Sequence, residues 1–266
     1  MCGISGILTK DKTDLKKKII NGLNIINHRG PDNTKYIVAN KFAGGTCRLS
    51  IEALKEGDQP IENDNYIAGF NGEIFNYKYL IDKFNLSKKI CNSEIKTVLE
   101  LYSKLGKDFV NYLNGQFAIF IFDKRNNKLY LFRDHYGIRP LYYFLDNKKF
   151  IFSSEVKSIV SMADENFEVD LNSFYQTALF WTNIGSQSSI KNVKQLKPGH
   201  FIEFNFESEI SEKKYFINPI ILNKENKIDI SNKKNDISST LEKSVVNQLQ
   251  SEVGYACMLS GGVDSS

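Results

Sequence analysis

The sequence is poor in the residues that build disulfide frameworks, metal centres and membrane spans. Its four cysteines (Cys2, Cys47, Cys91, Cys257) and three histidines (His28, His135, His200) are scattered over 266 residues, without a Cys-x-x-Cys pair or a His cluster. A disulfide scaffold and a zinc site both lack their spacing, and no metal site is expected. The longest unbroken apolar run, residues 117–122, is far short of the ~18 residues that a membrane helix needs. The opening Met1-Cys2-Gly3-Ile4 has neither the basic stretch nor the apolar block of a secretory signal; a cytoplasmic location without membrane contact is the expectation. A net charge of +4 and a pI of about 8.6 fall short of the pI above ~9 and the massed basic stripe of a nucleic-acid binder. Arginine is scarce too: it supplies only five of the 35 basic residues.

What is present fits a folded protein. Hydrophobic residues make up 41% and charged residues 25% of the chain, and the length is about 1.8 times the ~150 residues of one domain. Residues 3–8 read as a strand. Leu15, Ile19, Ile20, Leu23 and Ile26 recur at helical spacing behind Asp14, an N-cap candidate. Strands are expected at 35–39 and 46–51, and at 66–70 running into an Asn71-Gly72 turn. A helix begins near Asn92 with Ile95, Val98, Leu99 and Tyr102 on one face. Residues 117–122, apolar at every position, read as a strand covered on both sides. Asn126-Asn127 turns it into 129–132, and further strands follow at 141–145, 150–153 and 201–206. Many strands with helices between them predict an α+β sandwich of two stacked sheets sheathed by helices.

From 207 to 236, Lys, Asn, Glu and Ser dominate, which reads as a linker. Beyond it, Ile237, Leu241, Val245 and Leu249 mark a helix capped by Asp236. Residues 255–259 read as a buried strand entering Ser260-Gly261-Gly262-Val263-Asp264-Ser265-Ser266. Glycines that expose backbone N–H groups, flanked by hydroxyls, make a phosphate loop when a helix follows. The expected organisation is a domain at 2–215, a linker at 216–235, and at 236–266 the beginning of an α/β nucleotide-binding unit in a C-terminally truncated protein.

Cys2 alone is unremarkable. Once Met1 is removed, however, it carries a thiol beside a free α-amine with an ordinary pKa of ~7.7–8.0, a nucleophile and a base on one residue. Asn71-Gly72 supplies an amide and an approachable N–H for an oxyanion hole, although the pair also reads as a hairpin turn. Arg48 can grip a carboxylate with two parallel N–H groups or form a surface ion pair. Glu94 can meet an ammonium group or complement a helix dipole. Four of the five arginines (Arg29, Arg48, Arg133, Arg139) fall in short, chemically dense segments.

Taken together these segments resemble the class II glutamine amidotransferases, and among them the glutamine-hydrolysing asparagine synthetases. The matching stretches are Met1-Cys2-Gly3-Ile4, His28-Arg29-Gly30-Pro31-Asp32, Arg48-Leu49-Ser50-Ile51 and Asn71-Gly72-Glu73-Ile74-Phe75-Asn76, then the run from Arg133 to Tyr143, Ser154-Glu155-Val156-Lys157, and the run from Leu259 to Ser266. They follow the family order along the whole chain. The resemblance implies an N-terminal-nucleophile four-layer αββα sandwich followed by the start of a PP-loop ATP-pyrophosphatase domain. It implies Cys2 as the thiol nucleophile, Asn71 and Gly72 as the oxyanion hole, Arg48 on the glutamine α-carboxylate and Glu73 in the loop that contacts glutamine. Glu94 stands where the family usually has Asp, and would meet the α-amine. Leu259 would lie beside the adenine nucleotide, and Ser260, Gly261, Gly262, Asp264, Ser265 and Ser266 around pyrophosphate, with Mg²⁺ nearby. The expected substrates are glutamine, aspartate and ATP, with ATP and Mg²⁺ serving only the second half, and a homodimer is admitted. The segment at Arg133–Arg139 is given no catalytic role. Two alternatives are an amidotransferase acting on another carboxylate, such as one on a surface sugar, and a basic binding module without catalysis.

Overall fold

A computed structural model describes residues 2–219 and 233–264. In chain order the strands are β1 (Gly3–Thr9), β2 (Asn33–Ala39), β3 (Phe42–Arg48), β4 (Ile61–Glu62), β5 (Tyr66–Ile74) and β6 (Gly115–Asp123). Then come β7 (Lys128–Arg133), β8 (Tyr142–Leu145), β9 (Lys149–Ser153), β10 (Val193–Gln195), β11 (His200–Phe204) and β12 (Ser211–Lys214). The α-helices are α1 (Leu15–Ile26), α2 (Tyr77–Lys83), α3 (Glu94–Leu105), α4 (Val156–Ala163), α5 (Leu171–Phe180) and α6 (Lys234–Gln248). The strands form two antiparallel six-stranded sheets, ordered β10-β8-β9-β1-β3-β2 and β12-β11-β7-β6-β5-β4.

Strand alternation generates the layers. In β6, Ala118, Phe120 and Phe122 face the other sheet and join Ile4, Leu8, Phe42, Phe150 and Phe152 in the inter-sheet core. Phe117, Ile119 and Ile121 face the opposite way, into a core with Ile95, Val98, Leu99 and Tyr102 of α3 and Leu80 of α2. On the outer face of the first sheet, Ile7, Ala43 and Ile151 pack under Leu15, Ile19, Leu23 and Ile26 of α1 and Ile159 and Met162 of α4. The result is the four-layer αββα sandwich, with β6 buried on both faces as its unbroken apolar run requires.

Local signals act where expected at α1: the Asp14 carboxylate accepts the Lys17 N–H at 2.9 Å, satisfying one of the orphan donors of the first turn. Four expectations need correction. The Asn71-Gly72 pair does not turn: β5 continues through it to Ile74, because residues 71–74 remain paired with 115–118 of β6. The change of composition at 207 does not end the second sheet, since Ser211–Lys214 pairs with β11 as its edge strand. Asp236 is not the cap of α6; Lys233 holds that position and Asp236 lies in the first turn, ion-paired to Lys233 at 3.2 Å. Residues 255–259 form no strand and are exposed: among the described residues no neighbouring strand takes their backbone hydrogen bonds. Among the described residues no helix is long and apolar enough to cross a membrane.

Candidate active site

The site grows from the same alternation. Cys2 and Ile4 lie on one side of the β1 line, and Ile4 points between the sheets. In β5 the odd positions do the same, starting with Ile67, so Asn71 and Glu73 are turned towards the slot that Cys2 enters. The outer edge of β5 is only partly paired, because β4 is two residues long. At Phe70 the Gln59 side chain replaces a strand, donating to the Phe70 carbonyl and accepting its N–H, both at 2.8 Å. At Ile74 the N–H donates to Glu94 Oε1 at 2.5 Å. Strand alternation turns the N–H of Gly72, between them, to this same open edge. Glycine is required there: φ is +149°, and a Cβ would lie 1.9 Å from the Gln116 carbonyl oxygen.

Here a cavity of about 80 Å³ is lined by Cys2, Arg48, Leu49, Asn71, Gly72, Glu73, Ser93, Glu94 and Arg139, with residues 51–53 at its rim. Asn71 is fully buried, yet both its amide oxygen and nitrogen lack a hydrogen-bond partner; Ser93 Oγ and Arg139 Nε are also unpartnered. Buried polar atoms without partners are rare and costly in folded chains. Here they gather around a cavity, as a polar ligand requires.

The thiol is held by one backbone unit: Leu49 N–H donates to Cys2 Sγ at 3.4 Å. Burial pushes the Cys2 thiol above its ordinary value, while the Leu49 N–H and the Arg48 and Arg139 charges pull it back. At rest it is therefore a thiol that needs a base. The Cys2 carbonyl is fixed by Arg29 Nε at 3.0 Å, and Arg29 Nη1 is held by Glu155 at 3.0 Å. His28 and Lys157 also contact Glu155, at 2.9 and 3.0 Å.

Arg48 is neither a surface ion pair nor an unoccupied fork. It is buried, with Nη2 donating to the carbonyls of Glu52 and Ala53 and Nη1 to the Leu54 carbonyl and Asp58 Oδ1. Gly57 admits it closely, since a Cβ there would lie 2.4 Å from Nη2. Glu94 opens α3 as expected, but burial and the neighbouring Glu73 and Glu52 raise it to about 8 against the lowering effect of the Ile74 N–H. Glu73 is likewise raised by burial, opposed by Arg139.

The structure thus brings Cys2, Arg48, Asn71, Gly72, Glu73 and Glu94 to one cavity. It also adds Arg139, from the segment given no role. Asp134 builds that segment, accepting N–H groups from Phe117, Tyr136, Ile138 and Arg139 at 2.9 to 3.2 Å. The signal was the placement of rare arginines in dense turns. The nucleotide-loop residues are not brought to this cavity; within the loop the Gly262 N–H donates to Ser260 Oγ at 3.4 Å. Leu259, Ser260, Gly261, Gly262 and Asp264 are exposed, and beyond its chain neighbours no atom lies within 4 Å of a Cβ placed on Gly261; Ser265 and Ser266 lie outside the described residues. Among the described residues they form no cradle that fits ATP. No group of three or more His, Cys, Asp or Glu able to hold a metal occurs among the described residues.

Residues 1–216 match the glutamine amidotransferase domain family, and residues 236–266 match the asparagine synthase family. The chain is 31% identical to asparagine synthetase [glutamine-hydrolyzing] 2 of Bacillus subtilis, with all of this chain and 38% of that protein aligned. It is 29% identical to asparagine synthetase B [glutamine-hydrolyzing] of Escherichia coli, with all of this chain and 44% of that protein aligned. The chain therefore spans less than half the length of these two relatives. The glutamine phosphoribosylpyrophosphate amidotransferase of B. subtilis has the same fold at a TM-score of 0.61 and 17% identity, over 82% of this chain and 50% of that one.

Proposed function

Because the chain belongs to the glutamine amidotransferase domain family, we propose that it hydrolyses the side-chain amide of glutamine with Cys2 as nucleophile. The observation that carries this reading is the fully buried, unpartnered Asn71 amide in the cavity that Cys2 also lines. In the reaction the Cys2 sulfur bonds to the amide carbon, and the carbonyl electrons move onto oxygen. Asn71 Nδ2 and the Gly72 N–H are the donors for that oxyanion. Collapse expels ammonia, which takes up the proton lost by the thiol, and leaves a thioester; water then releases glutamate and restores the thiol. The α-amine of Cys2, free once Met1 is removed, serves as the base. Glu94 and Glu73 are the carboxyl groups for the substrate ammonium, whose charge favours loss of the Glu94 proton on binding, and Arg48 and Arg139 give the cavity the positive charge that suits the α-carboxylate.

In the whole protein we assign the ammonia to amidation of aspartate, on the strength of the relatives named as asparagine synthetases. ATP and Mg²⁺ belong to that half through the family resemblance of Leu259, Ser260, Gly261, Gly262, Asp264, Ser265 and Ser266. The domain limits that accompany this reading are 2–215, 216–235 and 236–266.

The test is ammonia release from glutamine by the purified chain, beside intact-mass measurement of its N-terminus. Cys2→Ala should abolish both turnover and labelling by an electrophilic glutamine analogue. Turnover retained in that variant would overturn the assignment, and turnover by a form that keeps Met1 would remove the α-amine as base.

A further inference from the structure

A second contact of the glutamine cavity comes from nearly two hundred residues downstream. Residues 51–53 lie at its rim, and the peptide groups of the 51–54 turn are held from both sides. The carbonyls of Glu52, Ala53 and Leu54 accept from the Arg48 guanidinium. The N–H groups of Ala53 and Leu54 donate outward to Oε1 and Oε2 of Glu252, at 3.1 and 3.2 Å. The Glu252 N–H in turn donates to the Ile51 carbonyl at 2.9 Å. Two residues earlier, Gln250 Nε2 donates to the carbonyl of Phe75, just beyond the end of β5. Residues 250–252 therefore fasten the 51–54 turn at the cavity rim and the residue just after the strand that carries Asn71, Gly72 and Glu73.

The charges explain why the turn holds this shape. Ala53 has a φ of +51°, a left-handed conformation that a side-chain-bearing residue adopts only when its surroundings impose it. A cation on the carbonyl side and an anion on the N–H side both favour the same peptide orientation, so Glu252 stabilises the conformation in which Arg48 is held. The Glu52 side chain is separately tied to Tyr77 Oη at 2.9 Å and Lys78 Nζ at 3.2 Å, which leaves the backbone of residues 53 and 54 to Glu252.

We propose that Glu252 is a positioning residue for the glutamine site, setting substrate affinity by fixing the 51–54 turn against Arg48. The same short segment leads directly into residues 255–264, so the glutamine cavity is fastened to the part of the chain that matches the asparagine synthase family. This inference rests on the glutamine-hydrolysis reading.

The experiment measures KM and kcat for glutamine, and the saturation of Cys2 labelling by an electrophilic glutamine analogue, in the full 266-residue chain and in Glu252→Ala and Glu252→Gln. Wild-type chain that neither hydrolyses glutamine nor labels would sink the parent reading. If wild type is active, Glu252→Ala should raise KM and the half-saturating analogue concentration by roughly threefold to tenfold, the range expected for exposed hydrogen bonds to a carboxylate. Its kcat should stay within about twofold, because no reacting atom is touched. Glu252→Gln keeps the size of the side chain but offers one acceptor oxygen to two donors, and should fall between the two. Alkylation of Cys2 by iodoacetamide, which has no α-carboxylate to place, should proceed at the wild-type rate in both variants. Unchanged KM in both variants, or a loss confined to kcat, would overturn the proposal.

Discussion

Helices α3 and α6 each carry an apolar stripe, dense in α3 and sparse in α6, and end in opposite situations. In α3, Ile95, Val98, Leu99, Leu101 and Tyr102 are buried against the second sheet. In α6, Ile237, Leu241 and Val245 recur every four residues, and no residue of the helix is buried. The same contrast separates β6, where residues 117–122 are buried from end to end, from residues 255–259, where Met258 is 99% exposed. A periodic apolar stripe states which face a helix would bury and an apolar run states that a strand would be covered. Neither supplies the surface that does the covering, and most helical stability in proteins comes from that surface.

The largest expected effect sharpens this comparison. Ile95→Ala removes a side chain only 1% exposed and should destabilise the chain by about 2–5 kcal/mol through lost burial and the cavity left behind. Leu241→Ala, at a position 65% exposed, should stay within about 0.5 kcal/mol. Urea denaturation of both variants measures the difference. A comparable loss in Leu241→Ala would show that α6 has a packed partner in solution and would break the contrast.

A second effect tests whether the site belongs to the sandwich alone, apart from residues 250–252. Asn71→Ala should lower kcat for glutamine by on the order of 10²–10³, the range for an oxyanion donor, with little change in KM. Leu241→Ala should leave both constants at their wild-type values. Steady-state ammonia release decides it. An Asn71→Ala variant with full kcat would return the residue to a purely structural place in β5.

The smallest effect concerns Glu94, whose burial raises its pKa from 4.5 to about 8. Between those values the folded chain keeps the proton and the unfolded chain loses it, so stability falls as pH rises from about 4.5 to about 8. Below that window both states are protonated and no penalty remains. Glu94→Gln cannot titrate, so its Tm should decline less between pH 5 and 8 than that of wild type, by an amount on the order of a few degrees. Parallel melting curves with an identical pH slope would remove Glu94 from this role.

The residues of the cavity were legible from the sequence because Cys2, Arg48, Asn71-Gly72 and Glu94 combine unusual chemistry with family-like neighbours. How they are used was less legible. Asn-Gly at a strand end is the common turn pair, and only the continued pairing of β5 with β6 shows that Gly72 was chosen to pass the Gln116 carbonyl. Arg139 was hidden because its place in the cavity wall depends on the turn that Asp134 assembles from four N–H groups. Glu252 gave no local signal at all: its partners are fixed by a contact across 198 positions.

The sequence by itself determined the sandwich of two sheets sheathed by helices, the cap at Asp14, the doubly covered strand at 117–122 and, in the cavity, Cys2, Arg48, Asn71, Gly72 and Glu94. These depend on period, local hydrogen bonding and residue chemistry, which act over a few positions. Tertiary structure decided what period cannot carry. It turned Asn71 and Cys2 into one slot between two sheets, committed the Arg48 guanidinium to the 51–54 turn, and raised Glu94 by burying it. Burial, charge compensation and strand pairing are properties of neighbours distant in the chain, and only the folded arrangement specifies which neighbours those are.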